Sequence, residues 1–257
     1  MLGRDHALLG CLGYLGGAAL VAHAEHVPVM QPVQLGIGAV TCAGFALLPD
    51  IDEQHSVIAN KLGPISRVVS SFTHSVAGGH RQATHSLLFT LAVGAAMVPA
   101  AHTRIGAAIV VFCAWALALR LILPKTIRGS GIAVNLLIPA GVGYYVYYFR
   151  YNGTWLAIAA GAGVLLHLLG DFMTKEGVPF LWGVTKRHFA VPVLGHTNSV
   201  REQVSRVLMG LGILVLLGVF VAQPMYLDIV HHHPLNPAVH LPALKTGASQ
   251  VLHHLGG

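Results

Sequence analysis

Apolar residues in this chain fall mainly into unbroken runs rather than into the alternating or three-to-four patterns of half-buried elements. Seven runs approach the length that crosses about 30 Å of hydrocarbon as a helix. They cover residues 7–22, 33–49, 86–101, 105–123, 132–149, 154–172 and 205–222. The first three are short and the first is rich in glycine, a pattern that favours close helix packing over free lipid exposure. Runs of that length also suit a soluble helical core, so the last four carry the argument. The pattern predicts an all-α fold, a polytopic membrane bundle of about seven transmembrane helices, built as one domain over residues 1–222. A His- and Pro-rich tail follows at 223–257. No internal repeat is evident.

Two connections are longer than a turn needs. In the first, from 50 to 85, Pro64 suits the start of a helix that puts Ile65, Val68, Val69 and Phe72 on one face. Such a stripe fits a helix lying along the membrane surface. The second, from 173 to 204, carries Phe180 and Trp182, which suit the headgroup level.

Composition agrees with the pattern. Only 9% of residues are charged and 54% are apolar, with mean hydropathy +0.68. Soluble domains carry about 25% charged residues. Disorder, a basic nucleic-acid-binding domain and a disulfide scaffold are therefore excluded as classes. Cys11, Cys42 and Cys113 lie in apolar runs and read as small buried hydrophobes. The first apolar run begins almost at once, but no A-x-A-like site followed by a soluble domain appears, so a removed signal peptide is not expected.

The net charge of +6 is distributed unevenly along the chain. With seven spans, twelve of the 15 Lys and Arg fall on the face that also receives the N-terminus. The positive-inside rule then makes that face, and the N-terminus, cytoplasmic. The basic balance answers to the membrane's anionic surface rather than to a nucleic acid, and no protein partner is evident.

Seven of the nine acids share this face, and three clusters gather there with histidines. Asp50 and Asp52 follow Pro49 and can converge on a cation from a turn; the ordinary alternative is a solvated helix end. His80, Arg81 and His85 sit in Gly-Gly-His-Arg-Gln-Ala-Thr-His-Ser at 78–86, where Thr84 or Ser86 can cap the next helix. Arg81 offers a planar fork for a phosphoryl oxygen, or else serves as a membrane-surface anchor. His167 and Asp171 lie one turn apart within the sixth run. A buried ionisable pair in a membrane helix is a functional hypothesis by default, the plainer reading being a packing hydrogen bond. His6 and Glu202 complete eight groups on one face, drawn from five spans or their ends. Imidazole and carboxylate together form the ligand set of Zn²⁺ or a similar divalent metal. Eight such groups exceed one tetrahedral ion, so two or three ions fit, and clustered metals suit in-line displacement at phosphorus. His188 and His196 are further possible ligands. His23, His26 and His102 fall on the other face, and His231, His232 and His233 read as a solvated tail.

The ordered set His6, Leu48-Pro49-Asp50-Ile51-Asp52, His80-Arg81 with Thr84-His85-Ser86, His167 with Asp171, and Glu176-Gly177-Val178-Pro179 resembles the YdjM-type family of bacterial membrane-bound metal-dependent hydrolases. The likeness covers roughly residues 1–205. That family is considered a distant relative of zinc-dependent phospholipase C and of zinc single-strand nucleases, helical enzymes whose three zincs are held by scattered His and Asp. His167 and Asp171 match their H-x-x-x-D pair. Their H-x-x-x-E pair is half matched, because Asn198 stands four residues before Glu202. The resemblance implies a hydrolase and leaves the substrate open.

The leading expectation is a hydrolase in the inner membrane with a cytoplasm-facing metal site. Asp50, His85, His167 and Asp171 are the first ligands, with His6, Asp52 and His80 next. Asp52 or Glu202 is the general base and Arg81 stabilises the anionic transition state. The expected substrate is a phosphoester at the membrane surface, a phospholipid or related molecule. A metal-ion or proton transporter is the alternative, but the outer halves of the spans are nearly free of ionisable groups, and Asn135 is the polar exception. A haem-binding anchor is weaker still, since haem needs paired axial ligands near the midplane.

Overall fold

The computed structural model describes residues 1–25, 30–60, 64–122, 133–149 and 153–225. Ile132, His26, and the tail from 226 on, with His231, His232 and His233, lie outside the described residues. Among those described, five helices are long and apolar enough to cross a membrane. They are α1 (Gly3–Glu25), α2 (Pro32–Phe45, continued by a 3₁₀ turn over Pro49–Asp52), α6 (Arg104–Ile122), α8 (Thr154–Phe172) and α9 (Val200–Leu217). Shorter helices complete the order: α3 (Val57–Asn60), α4 (Pro64–Ala77), α5 (Leu87–His102) and α7 (Ile138–Phe149), the last entered through a π-turn over Ala133–Leu137. Two of the seven expected spans thus correspond to the shorter α5 and α7. The two long connections hold α4 and the irregular stretch 173–199.

Local sequence sets several helix starts. Pro32 occupies the first turn of α2, and a Gln31–Gln34 capping box closes its open amides. The Ser86 hydroxyl accepts from the Phe89 amide to start α5, and the Ser199 hydroxyl accepts from Glu202 to start α9. The last helix therefore begins five residues before the apolar run that announced it. Glu202 lies in its first turn.

α2 is the centre of the bundle, packed by α1, α6 and α8. About two thirds of its span is buried (67%), against 11% for the span that begins with α9. Small residues permit this. A Cβ on Gly44 would lie 2.3 Å from the Ala114 carbonyl oxygen of α6, and one on Gly163 would lie 2.5 Å from the Cys42 oxygen of α2. Lipid tails are as apolar as the side chains, so membrane helices are held by such close contact rather than by water exclusion. Cys11 and Cys42 are buried as expected, but Cys113 is exposed. It lies on the outward side of α6, where a weakly polar thiol costs little against lipid.

Candidate metal centre

The polar end of the bundle is built on α1, α2 and α8, closed by the loop before α5. At the C-terminal end of α2 the chain tightens into the 3₁₀ turn, and its two carboxylates diverge. The Asp50 carboxylate reaches the His85 and His167 Nε2 atoms, at 3.9 and 3.8 Å. The Asp52 carboxylate turns to the 78–86 loop. It receives the Thr84 hydroxyl at 2.5 Å and the Arg81 amide at 3.2 Å, and it lies 2.8 Å from His80 Nδ1. Gly78 and Gly79 at positive φ, and Arg81 at φ 58°, fold the loop over this carboxylate.

His167 is fully buried on α8, with Nδ1 2.7 Å from the Ala46 carbonyl oxygen. A carbonyl only accepts, so Nδ1 carries a proton, and in the neutral ring Nε2 keeps its lone pair. His85 is also fully buried, with Nδ1 3.0 Å from Thr84 Oγ1. Because Thr84 gives its proton to Asp52, its oxygen accepts from His85 Nδ1–H, and His85 Nε2 likewise keeps its lone pair. Burial holds the His85 pKa below its ordinary value, which favours this neutral form. The two Nε2 atoms face each other at 3.1 Å. In the neutral rings two lone pairs at that distance repel, so the contact calls for a proton or a metal cation between them. His6 stacks on His167, with ring centroids 3.7 Å apart, and neither of its ring nitrogens has a hydrogen-bond partner despite full burial. Asp171 closes the group, with its carboxylate 3.3 Å from His6 Nε2, 3.6 Å from His167 Nε2 and 3.7 Å from His85 Nε2.

These separations suit metal ligands. For Zn–N bonds of about 2.0–2.1 Å, tetrahedral ligands stand about 3.3 Å apart. Three overlapping triads have ligand atoms within 4.8 Å of one another: His6–Asp50–His167, Asp50–His80–His85 and His85–His167–Asp171. Asp50, His85 and His167 each belong to two of them. These buried His and Asp groups can hold a metal ion, and the sharing allows more than one.

Two residues frame the anionic side. Arg81 Nη2 donates to Asp171 at 3.0 Å, while buried Nη1 has no hydrogen-bond partner and lies 3.6 Å from Glu176. The Met1 amine also lies on Asp171, at 2.5 Å. His80 is the more open imidazole, 33% exposed. Its partial burial would lower its pKa, but the hydrogen bond and charge of Asp52 outweigh this and raise it.

The expected residues are therefore not all in one place. Six converge: His6, Asp50, His80, His85, His167 and Asp171. Asp52 stands one step back and orients His80 and, through Thr84, His85. Glu202 belongs to a separate cluster. Its carboxylate accepts from the Leu2 and Asn198 amides at 2.8 and 2.5 Å, beside Asp5, which pairs with Arg206. His188 and His196 are exposed; His188 Nδ1 lies near the Glu176 carbonyl oxygen and His196 Nε2 near Lys175 Nζ. His23 and His102 are exposed at the ends of α1 and α5. Three contributors escaped the sequence reading. Thr84 was expected only as a cap, the Ala46 carbonyl carries no side-chain signal, and Gly170 admits the His6 ring, whose Nδ1 would lie 3.1 Å from a Cβ there.

Comparison with known proteins agrees with this architecture. The uncharacterized protein YvsG of Bacillus subtilis (strain 168) is 30% identical over 172 residues, covering 60% of this chain and 98% of that protein. No solved structure matches the chain. The YdjM inner membrane protein family matches residues 1–227, somewhat beyond the stretch its motifs marked out. The chain belongs to the YdjM inner membrane protein family and is a multi-pass inner-membrane protein.

Proposed function

We propose that this protein is a metal-dependent hydrolase that cleaves a phosphoester at the membrane surface. The observation that supports it best is the facing pair of buried imidazole Nε2 atoms on His85 and His167, with the His6 ring, its nitrogens without hydrogen-bond partners, stacked on His167. Buried polar atoms without partners are rare in folded proteins, and divalent cations shared between the triads through His167 answer this arrangement.

Asp50, His85, His167 and Asp171 are the primary ligands, with His6 beside them; the metal is zinc or zinc-like, with room for two or three ions. When bound, the metal supplies Lewis-acid stabilisation and an acidified water. Arg81 neutralises a phosphoryl oxygen with Nη1, which has no hydrogen-bond partner. Asp52 acts through His80: the carboxylate holds Nδ1, and the exposed ring takes the proton of the attacking water. The water oxygen bonds to phosphorus, the bond from phosphorus to the leaving oxygen breaks, and that oxygen takes up a proton. Glu202, with both oxygens held by backbone amides, steadies α1 against α9. The uneven cation count supports a cytoplasmic side for this chemistry.

The test is metal analysis of the detergent-purified protein, with a panel of lipid, nucleotide and simple phosphoesters assayed with and without chelator. At least one equivalent of metal, lost in His167→Ala, and chelator-sensitive hydrolysis are expected. A protein without stoichiometric metal sinks the reading. Metal uptake into proteoliposomes without hydrolysis of any ester replaces it with transport.

A further inference from the structure

α4 is not used by the chemistry above, and its surface is unusual. Val68, Phe72 and Val76 are 70%, 69% and 67% exposed, with Val69 beside them. On a helix these positions form one face. The opposite face, with Ser70 and Ala77, is buried, and α4 packs there on the 3₁₀ turn that ends the α2 span. α4 therefore lies at the depth where a membrane span ends. It contains no Asp or Glu, it carries the exposed Arg67, and along its polar flank Arg67 and Ser71 border a cavity of about 380 Å³ with Gln54, His55 and Asn60. An apolar face, a polar flank and basic charge without acid are complementary to an anionic lipid surface.

A second apolar rim stands by the same site. Leu181 and Val184 are 47% and 89% exposed, followed by exposed Lys186 and Arg187. Both rims are tied to the centre. His74 of α4 lies 2.8 Å from the Asp52 carbonyl oxygen, and α4 runs through Gly78 and Gly79 into His80 and Arg81. On the other side, the Leu87 amide, two residues after His85, donates to the Phe180 carbonyl at 3.0 Å.

We propose that α4 is seated in the bilayer's headgroup layer and forms, with the 180–184 rim, a mouth that admits membrane-anchored amphiphilic esters sideways from the lipid. This rests on the hydrolase reading of the site. The acyl part of the substrate stays in the bilayer while its ester reaches Arg81, so a water-soluble ester lacks most of the binding.

Two measurements test it in proteoliposomes. Spin labels on Val68→Cys, Phe72→Cys and, as the polar-flank control, Ser71→Cys, each in a Cys113→Ala background, report depth without any need for turnover. Labels at 68 and 72 should meet oxygen more than a water-soluble nickel chelate, and the label at 71 the reverse. The ratio of kcat/KM for a long-chain phosphoester in vesicles to that for a short-chain soluble one should fall about tenfold in Phe72→Ser/Val76→Ser. Nickel-accessible labels at 68 and 72 overturn the proposal, as do labels buried against another protein chain. An unchanged ratio also overturns it. If the labels lie in lipid but no ester is cleaved by the unsubstituted protein, the hydrolase reading fails and the substrate mouth with it, while the membrane seat of α4 stands.

Discussion

Asp5 and His6 are neighbours in sequence, yet they enter two unlike clusters. Asp5 is fully buried, and both its oxygens are taken by the Arg206 guanidinium; Glu202 beside it is held by two backbone amides. Each carboxylate there meets donors within the protein. His6 is equally buried, but both its nitrogens lack hydrogen-bond partners, and it stacks on His167, whose Nε2 faces that of His85. Burial of charge alone does not mark a site. Unmet bonding capacity gathered among metal-ligating side chains is the stronger sign, because leaving it unmet costs stability.

Four substitutions probe this contrast. The largest effect belongs to Asp171→Asn. It removes a charge from the centre, and metal content measured by elemental analysis should fall at least tenfold while the circular dichroism spectrum is kept. Metal retained at full stoichiometry would erase the distinction between the clusters. Next comes Arg206→Leu, which strands the buried Asp5 charge at a cost of about 3 kcal/mol. The melting temperature in detergent should drop, but metal per folded molecule should not. Gly170→Ala, which presses a methyl toward His6, should weaken metal binding about tenfold in chelator competition, the usual scale for disturbing the support of a ligand. The smallest effect is expected from Glu202→Gln. Losing charge but keeping an acceptor should cost about 1 kcal/mol in stability and leave the hydrolytic rate nearly unchanged. A hundredfold loss of rate with normal metal content would instead restore Glu202 as the general base.

Much of the fold was legible because hydrocarbon demands long apolar runs. α1, α2, α6 and α8 stand close to where those runs lie. α9 begins earlier, since a helix starts where its cap is, at Ser199, and not where hydrophobicity begins. The site was legible only by face. Counting cations places Glu202 and His167 at the same end of the bundle, but rotation about the helix axis decides which pocket each enters. Glu202 turns toward Leu2 and Asp5, and no spacing rule shows that. Asp50 and Asp52 look equivalent in sequence, but the 3₁₀ turn separates them, so one joins the ligands and the other supports them. Arg206, which counted only as a surface cation, is the counter-ion of a buried acid.

The order of synthesis gives one structural feature a further meaning. Of the three ligand triads, the two that include His167 cannot exist until α8 has been made and inserted, more than a hundred residues after Asp50. A nascent chain holding only α1 and α2 presents His6 and Asp50 but no complete triad. Any metal held by the two triads that include His167 would therefore be a late acquisition in biogenesis, after the Asp50–His80–His85 triad is complete, and it would fasten α1, α2 and α8 into one unit as the bundle closes.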